Sequence, residues 1–235
     1  MGIGSKFKVM INPMELTGKH ILLVGGSTGI DKSVIHRLEE LNAIVSLYEE
    51  LDVSIIEKDI KEIIRRNGSF DGVVFAIVHS DFKPLQFVKP DNVSSIMNDN
   101  FGVFVEIIRA LKKNRGLING ASIVTLSSIS SIRAMKAKMA FCASKAALDA
   151  SVRCLAVELL DKGIRINSIQ KGFVEEDFMK EHIQDINAIN DGSVSKSILG
   201  ITKADEIANL IAFLLSDATQ TITGTSIVID GGYTL

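Results

Sequence analysis

Residues 20–26, HILLVGG, form an unbroken apolar run that stops at two glycines. A strand with one wet face alternates apolar and polar residues, so a run of this kind belongs to a strand covered on both sides. The pattern then switches period. Ile30, Val34, Leu38 and Leu41 recur at helical spacing, and NAIVSLYE returns to strand character. VSIIEKDIKEIIRRNG places Ile56, Ile60, Ile63 and Ile64 on one helical face, and DGVVFAIV (71–78) is a third buried strand. Further along, 92–114 reads as one long helix, 121–128 as a strand, 140–161 as a helix, 163–170 as a strand and 204–215 as a helix, before a closing strand in GTSIVIDGG. Strands alternating with helices predict an α/β fold, a parallel sheet with helices on both faces. In such sheets ligands sit beyond the carboxyl ends of the strands, where strand order reverses.

Composition removes several function classes. Of the 235 residues 46% are apolar, 23% are charged, and the net charge is −2. That suits one filled core and leaves no basic stripe for nucleic acid. No apolar run approaches the roughly 20 residues that span a bilayer, so no membrane partner is expected. The opening MGIGSKFKVMINPMELTGK lacks a small-residue cleavage site and is not read as a signal peptide. Cys142 and Cys154 have no CxxC spacing and read as free thiols of a cytoplasmic protein. The histidines (20, 36, 79 and 182) show no paired spacing, so no metal site is expected. With no linker and no repeat, the chain divides into an extension, 1–15, and a single domain, 16–235.

The chemistry-bearing residues fall at the predicted strand ends. VGGSTGI (24–30) joins a strand to a helix, where glycines let a pyrophosphate approach the backbone and the helix N-terminus supplies N–H groups and partial positive charge. Asn100 lies in MNDNFG, Ser128 ends IVTLSS, Lys145 lies in AFCASKAAL, and the chain closes with ITGTSIVIDGG. Together with LTGKHILLVGGSTGI and GIRINSIQKGFV, this ordered set resembles the short-chain dehydrogenase/reductase family, including the 3-oxoacyl-carrier-protein reductases. The resemblance implies a three-layer, Rossmann-type doubly wound parallel sheet and an NAD or NADP cofactor. It implies a Ser, Tyr, Lys and Asn quartet, with Ser128 polarising the substrate oxygen, Lys145 binding the nicotinamide ribose, and Asn100 holding a relay water. Gly25, Ser27, Gly29, Ile30 and Glu49, with Lys145, would bind the cofactor, and Glu49 would favour NAD over NADP.

The family's tyrosine position is Phe141, which shares a helical face with Lys145 and can neither give nor take a proton. Asp31 stands where the family has a third glycine, a carboxylate beside the expected pyrophosphate. Phe75, Ala76, Ile77 and Val78 replace the family's small and amide residues at the adenosine ribose. Too few residues separate Tyr48 from 52–54 for the usual parallel crossover, which predicts a sheet shortened between the second strand and the following helix. Lys171 replaces a proline and Glu176 a threonine. Loss of a general acid alone removes about 10²–10⁴-fold in rate. The combined changes predict a member impaired or inactive in NAD(P)-dependent redox, acting as a partner subunit or binding protein. The alternative is a working reductase that uses Ser128 and Lys145 on a small carbonyl or acyl substrate. A homodimer or homotetramer, or a hetero-oligomer with an active relative, is expected from the resemblance.

Overall fold

A computed structural model describes residues 12–26, 28–175 and 197–235. Six parallel strands form one sheet: β1 (His20–Val24), β2 (Ile44–Tyr48), β3 (Phe70–Phe75), β4 (Leu117–Ser128), β5 (Arg165–Lys171) and β6 (Ser226–Ile229), in the order β2-β1-β3-β4-β5-β6. The α-helices among the described residues are α1 (Gly29–Glu40), α2 (Val53–Asn67), α3 (Pro90–Met97), α4 (Val103–Lys113), α5 (Met139–Glu158) and α6 (Ala204–Leu215).

The alternation of side chains along each strand builds two cores. Leu22, Val24, Val73, Phe75, Ile123 and Ile166 face α2, α4 and α5. Ile21, Leu23, Val74, Val124, Leu126 and Ile169 face α1 and α6. Both faces of the central strands are therefore dry, which is why those strands read as continuous apolar runs. The fold class and its doubly wound character are as the sequence predicts.

The shortened region is present too. From β2 the chain passes through Glu49–Asp52 directly into α2 and on to β3, and β2 is left as a sheet edge with Ile44 and Leu47 half exposed. Consecutive strands leave β1 in opposite directions, β2 to one side and β3 to the other. The reversal point thus lies between the carboxyl ends of β1 and β3, with Gly25 N bonded to Tyr48 O and Ala76 N to Val24 O.

Several boundaries differ from expectation. The helix predicted over 92–114 is three pieces, because a π-helical turn, Asn98–Gly102, separates α3 from α4. A π-turn lets one residue out of the 3.6-residue repeat, and here the turn carries Asn100, fully buried. Strand β4 begins at Leu117, earlier than the apolar run, while β3 ends at Phe75 and leaves 76–78 as extended chain above the cleft. The helix read over 140–161 ends at Glu158, followed by a 3-10 turn, Leu160–Lys162. The segment containing Glu176 lies outside the described residues. Among the described residues no helix is long and apolar enough to cross a membrane.

The larger core is anchored by Phe104 of α4, which is fully buried and meets Phe75 edge-on with ring centroids 5.3 Å apart. Phe104→Ala removes that ring from a closely packed layer and is expected to cost about 3–5 kcal/mol. The urea midpoint should fall with an unchanged slope; a shift worth less than about 1 kcal/mol would contradict this packing.

Candidate active site

The strand-to-helix turn after β1 is where a phosphate group would be expected. Gly25 and Gly26 have φ of 132° and 148°, backbone that side-chain-bearing residues rarely adopt. Thr28 is the N-cap of α1, and its side chain accepts from Asp31 N at 3.2 Å. Asp31 answers reciprocally. Its Oδ2 accepts from Thr28 N at 2.9 Å and from Gly26 N at 3.1 Å, and the residue is 1% exposed. This is a capping box with aspartate at the third helical position, and it has a further consequence here. Two of the amides that would greet an incoming anion already hold one.

A second carboxylate closes over the same turn. Glu49, on the loop after β2, folds its side chain against Gly26, so that a Cβ added there would collide with it. Glu49 thus sits beside the glycine turn, as the resemblance implies. Gly25 carries the turn's tight approach to Ala76, and Gly29 opens α1. Ser27 lies outside the described residues.

Downstream, Thr28, Ile30, Val78, Ser80, Ser128 and Phe141 are among the residues lining a cavity of about 110 Å³. Cofactor and ligand pockets usually offer about 300–1,000 Å³. Val78 and Ala76 fill its β3 side, and Phe141 of α5 forms part of another wall and packs against Ile96 and Ala140. Phe141 is therefore both a core side chain and a cavity wall, buried at the position where the family places its acid.

Ser128 ends β4 with its Oγ 3.1 Å from Ser130 Oγ and accepting from Ser130 N, so it caps the 3-10 turn Ile129–Ser131. Asn100 is equally committed. Its Oδ1 accepts from His79 N at 2.9 Å, and its Nδ2 donates to His79 O at 2.6 Å and Ile96 O at 3.1 Å. The π-turn exists where this amide braces the chain that follows β3. His79 also pairs through Nδ1 with Asp99 Oδ2 at 2.5 Å.

Lys145 is 0% exposed, with Nζ donating to Ile77 O and Leu126 O at 3.1 Å each and lying 5.9 Å from the Phe141 ring centroid. Burial pushes its pKa from 10.5 down to about 7; the charge of Lys171 adds to the shift and Asp149 opposes it. A lysine in that state is a weak electrostatic partner for a phenol, and here it has no phenol to serve. Sequence reasoning missed the burial of Lys171. The mixed run RINSIQK carried no signal for it, since burial there is set by the neighbouring strands.

The depressed pKa of Lys145 links to stability with a definite sign. Between about pH 7 and 10.5 the unfolded chain holds the proton and the folded protein does not, so stability rises with pH across that window. Below pH 7 both states are protonated, and the folded state bears the full cost of a buried ammonium. In urea unfolding from about pH 6.5 to 9.5, the stability of the wild type relative to Lys145→Met is expected to increase steadily. A flat difference would mean that Lys145 stays charged when folded.

Among the described residues no cluster of His, Cys, Asp and Glu could hold a metal. The residues at the turn do not fit a dinucleotide: each carboxylate within 4–6 Å of a pyrophosphate charge costs about 3–4 kcal/mol at an effective dielectric of 20.

Residues 27–234 match the family model described as enoyl-(acyl carrier protein) reductase. An NADH-dependent enoyl-[acyl-carrier-protein] reductase of Buchnera aphidicola is 30% identical over 93% of this chain and 95% of its own. An L-xylulose reductase of Caenorhabditis elegans is 28% identical over 93% and 97%. Among solved structures, a putative short-chain alcohol dehydrogenase from Sinorhizobium meliloti superposes with a TM-score of 0.86 at 23% identity, covering 95% of this chain and 99% of that one. With a six-stranded doubly wound sheet and Ser128, Lys145 and Asn100 gathered near the carboxyl ends of its strands, the chain belongs to the short-chain dehydrogenase/reductase family.

Proposed function

We propose that this protein keeps the scaffold of an NAD(P)-dependent short-chain oxidoreductase but is impaired or inactive in hydride transfer, and acts in the cytoplasm as a binding protein or partner subunit. The observation that carries this reading is the bond pair from Gly26 N and Thr28 N to the Asp31 carboxylate. A micromolar dinucleotide site is worth about 8 kcal/mol. Displacing Asp31 forfeits a helix cap worth about 0.5–2 kcal/mol, while leaving it in place sets it against the pyrophosphate, with Glu49 close by. Displacement alone weakens binding only to the tens of micromolar, whereas a carboxylate left in place, at about 3–4 kcal/mol, moves it toward the millimolar range. Phe141 then removes the proton donor from what remains.

The loss does not come from decay of the core. The apolar layers around α4 and α5 are complete, and both helices keep exposed apolar side chains, Val105 and Val157. The family's pairing helices support assembly as a homodimer, a homotetramer or a hetero-oligomer with an active relative. Any residual cofactor preference is for NAD, since Glu49 would repel a 2′-phosphate.

A second reading, slow reduction of a small carbonyl or acyl compound, is favoured by the retention of Ser128 and Lys145 in and beside the cavity. Two measurements separate the readings. Titration with NADH and with NADPH, followed by fluorescence or thermal shift, is expected to show no saturable binding below about 1 mM; micromolar binding of either favours the second reading. Phe141→Tyr is expected to bring no carbonyl-reductase activity, and its appearance would show that the cofactor site works.

A further inference from the structure

Strand β2 is one edge of the sheet, and among the described residues no strand lies beyond it. Its backbone groups divide by direction. Ile44 N donates to Lys19 O, and Tyr48 O accepts from Gly25 N, so Ile44, Ser46 and Tyr48 turn their N–H and C=O groups toward β1. Successive residues of a strand aim these groups to opposite sides, which leaves Val45 and Leu47 directed outward with two donors and two acceptors. Edges of this kind are usually blunted by lysine, proline, a bulge or a covering element. Residues 43–48, AIVSLY, hold no charge, proline or glycine, and β1 and β2 pair in unbroken register from Ile44 to Tyr48.

The side chains along this edge are apolar on both faces of the sheet. Ile44, in the row that faces α2, is 57% exposed, and Leu47, in the row that faces α1, is 50% exposed. The strand is also self-complementary about Ser46. An antiparallel twofold at that residue sets Val45 opposite Leu47 of a second copy, and Leu47 opposite Val45, closing four hydrogen bonds. A twofold at Val45 or at Leu47 closes only two within the strand. The four-bond register also lays Leu47 beside Val45 of the second copy on one face and Ile44 beside Tyr48 on the other. Apolar and β-branched–aromatic pairs of this kind stabilise antiparallel strands. No like charges oppose each other within the paired strands, and each copy contributes the same patch, as a closed twofold interface requires.

We propose that β2 pairs antiparallel with β2 of a second copy of this chain, about a twofold axis at Ser46, so that the two sheets become one continuous sheet. The short passage from β2 into α2 makes this possible, because it leaves the edge open. The interface lies at the sheet edge, apart from the helices α4 and α5. It does not depend on the loss of hydride transfer, so cofactor binding and edge pairing stand or fall separately.

The test reads both assembly and register on the full chain. Leu47→Lys puts a charge at an exposed edge position and is expected to halve the mass found by light scattering at micromolar protein. A wild type that is already monomeric there, or a Leu47→Lys variant of unchanged mass, would overturn the proposal. Single cysteines, in a protein carrying Cys142→Ser and Cys154→Ser, then fix the register. At the axis the two Ser46 Cα atoms form a non-hydrogen-bonded pair about 4.5 Å apart, within the roughly 4.4–6.8 Å that a disulfide spans. The two Ile44 residues stand about 14 Å apart, four residues out of register. Ser46→Cys is therefore expected to give a covalent dimer under mild oxidation at least tenfold faster than Ile44→Cys, although Ile44 is the more exposed position. Equal rates, or faster cross-linking of Ile44→Cys, would also overturn it.

Discussion

A helix N-terminus offers unpaired N–H groups and half a positive charge, and something must satisfy them. In this protein the Asp31 carboxylate takes Gly26 N and Thr28 N. The arrangement stabilises α1, the helix on which the β1–β2 crossover depends, and uses the donors a pyrophosphate would need. Stability and ligand binding compete here for the same two hydrogens. Among the described residues Asp31 Oδ1 is buried without a hydrogen-bond partner, 3.4 Å from where a Cβ on Gly25 would stand.

The rest of the cleft follows from that closure. The chain after β3 carries Val78 into the cavity and braces itself on Asn100 through His79. Phe141 can pack as a core residue, and Lys145 can spend its hydrogens on two backbone carbonyls. Loss of the second crossover removes the sheet that would lie beyond β2, and Glu49 then folds back over Gly26. What remains is a small cavity with a lysine in its wall.

Much of this was legible before any coordinates. The runs HILLVGG and DGVVFAIV specify strands buried on both faces, and the short spacing after Tyr48 specifies the missing crossover, because chain length alone forbids it. Asp31 was readable as a helix-terminus carboxylate, since Thr28-x-x-Asp31 has capping-box spacing. Its second bond, to Gly26 N, depends on the φ values of two glycines and was not. The π-turn at Asn100 was hidden because helical periodicity over 92–114 tolerates one extra residue. Lys171 was hidden for a different reason: burial of a cation at a strand end is decided by the neighbouring strands, and local sequence carries no record of them. Ser27 and Glu176, both weighed from sequence, fall outside the described residues.

The account stands on the Asp31 carboxylate occupying the turn. The most direct test is amide NMR at Gly26 and Thr28 during titration with ADP-ribose, which presents a pyrophosphate without the nicotinamide. Both resonances are predicted to show no saturable movement below about 1 mM ligand. Saturable movement of the two amides together at micromolar ADP-ribose would contradict the account, because it would show a pyrophosphate taking the hydrogens assigned to Asp31.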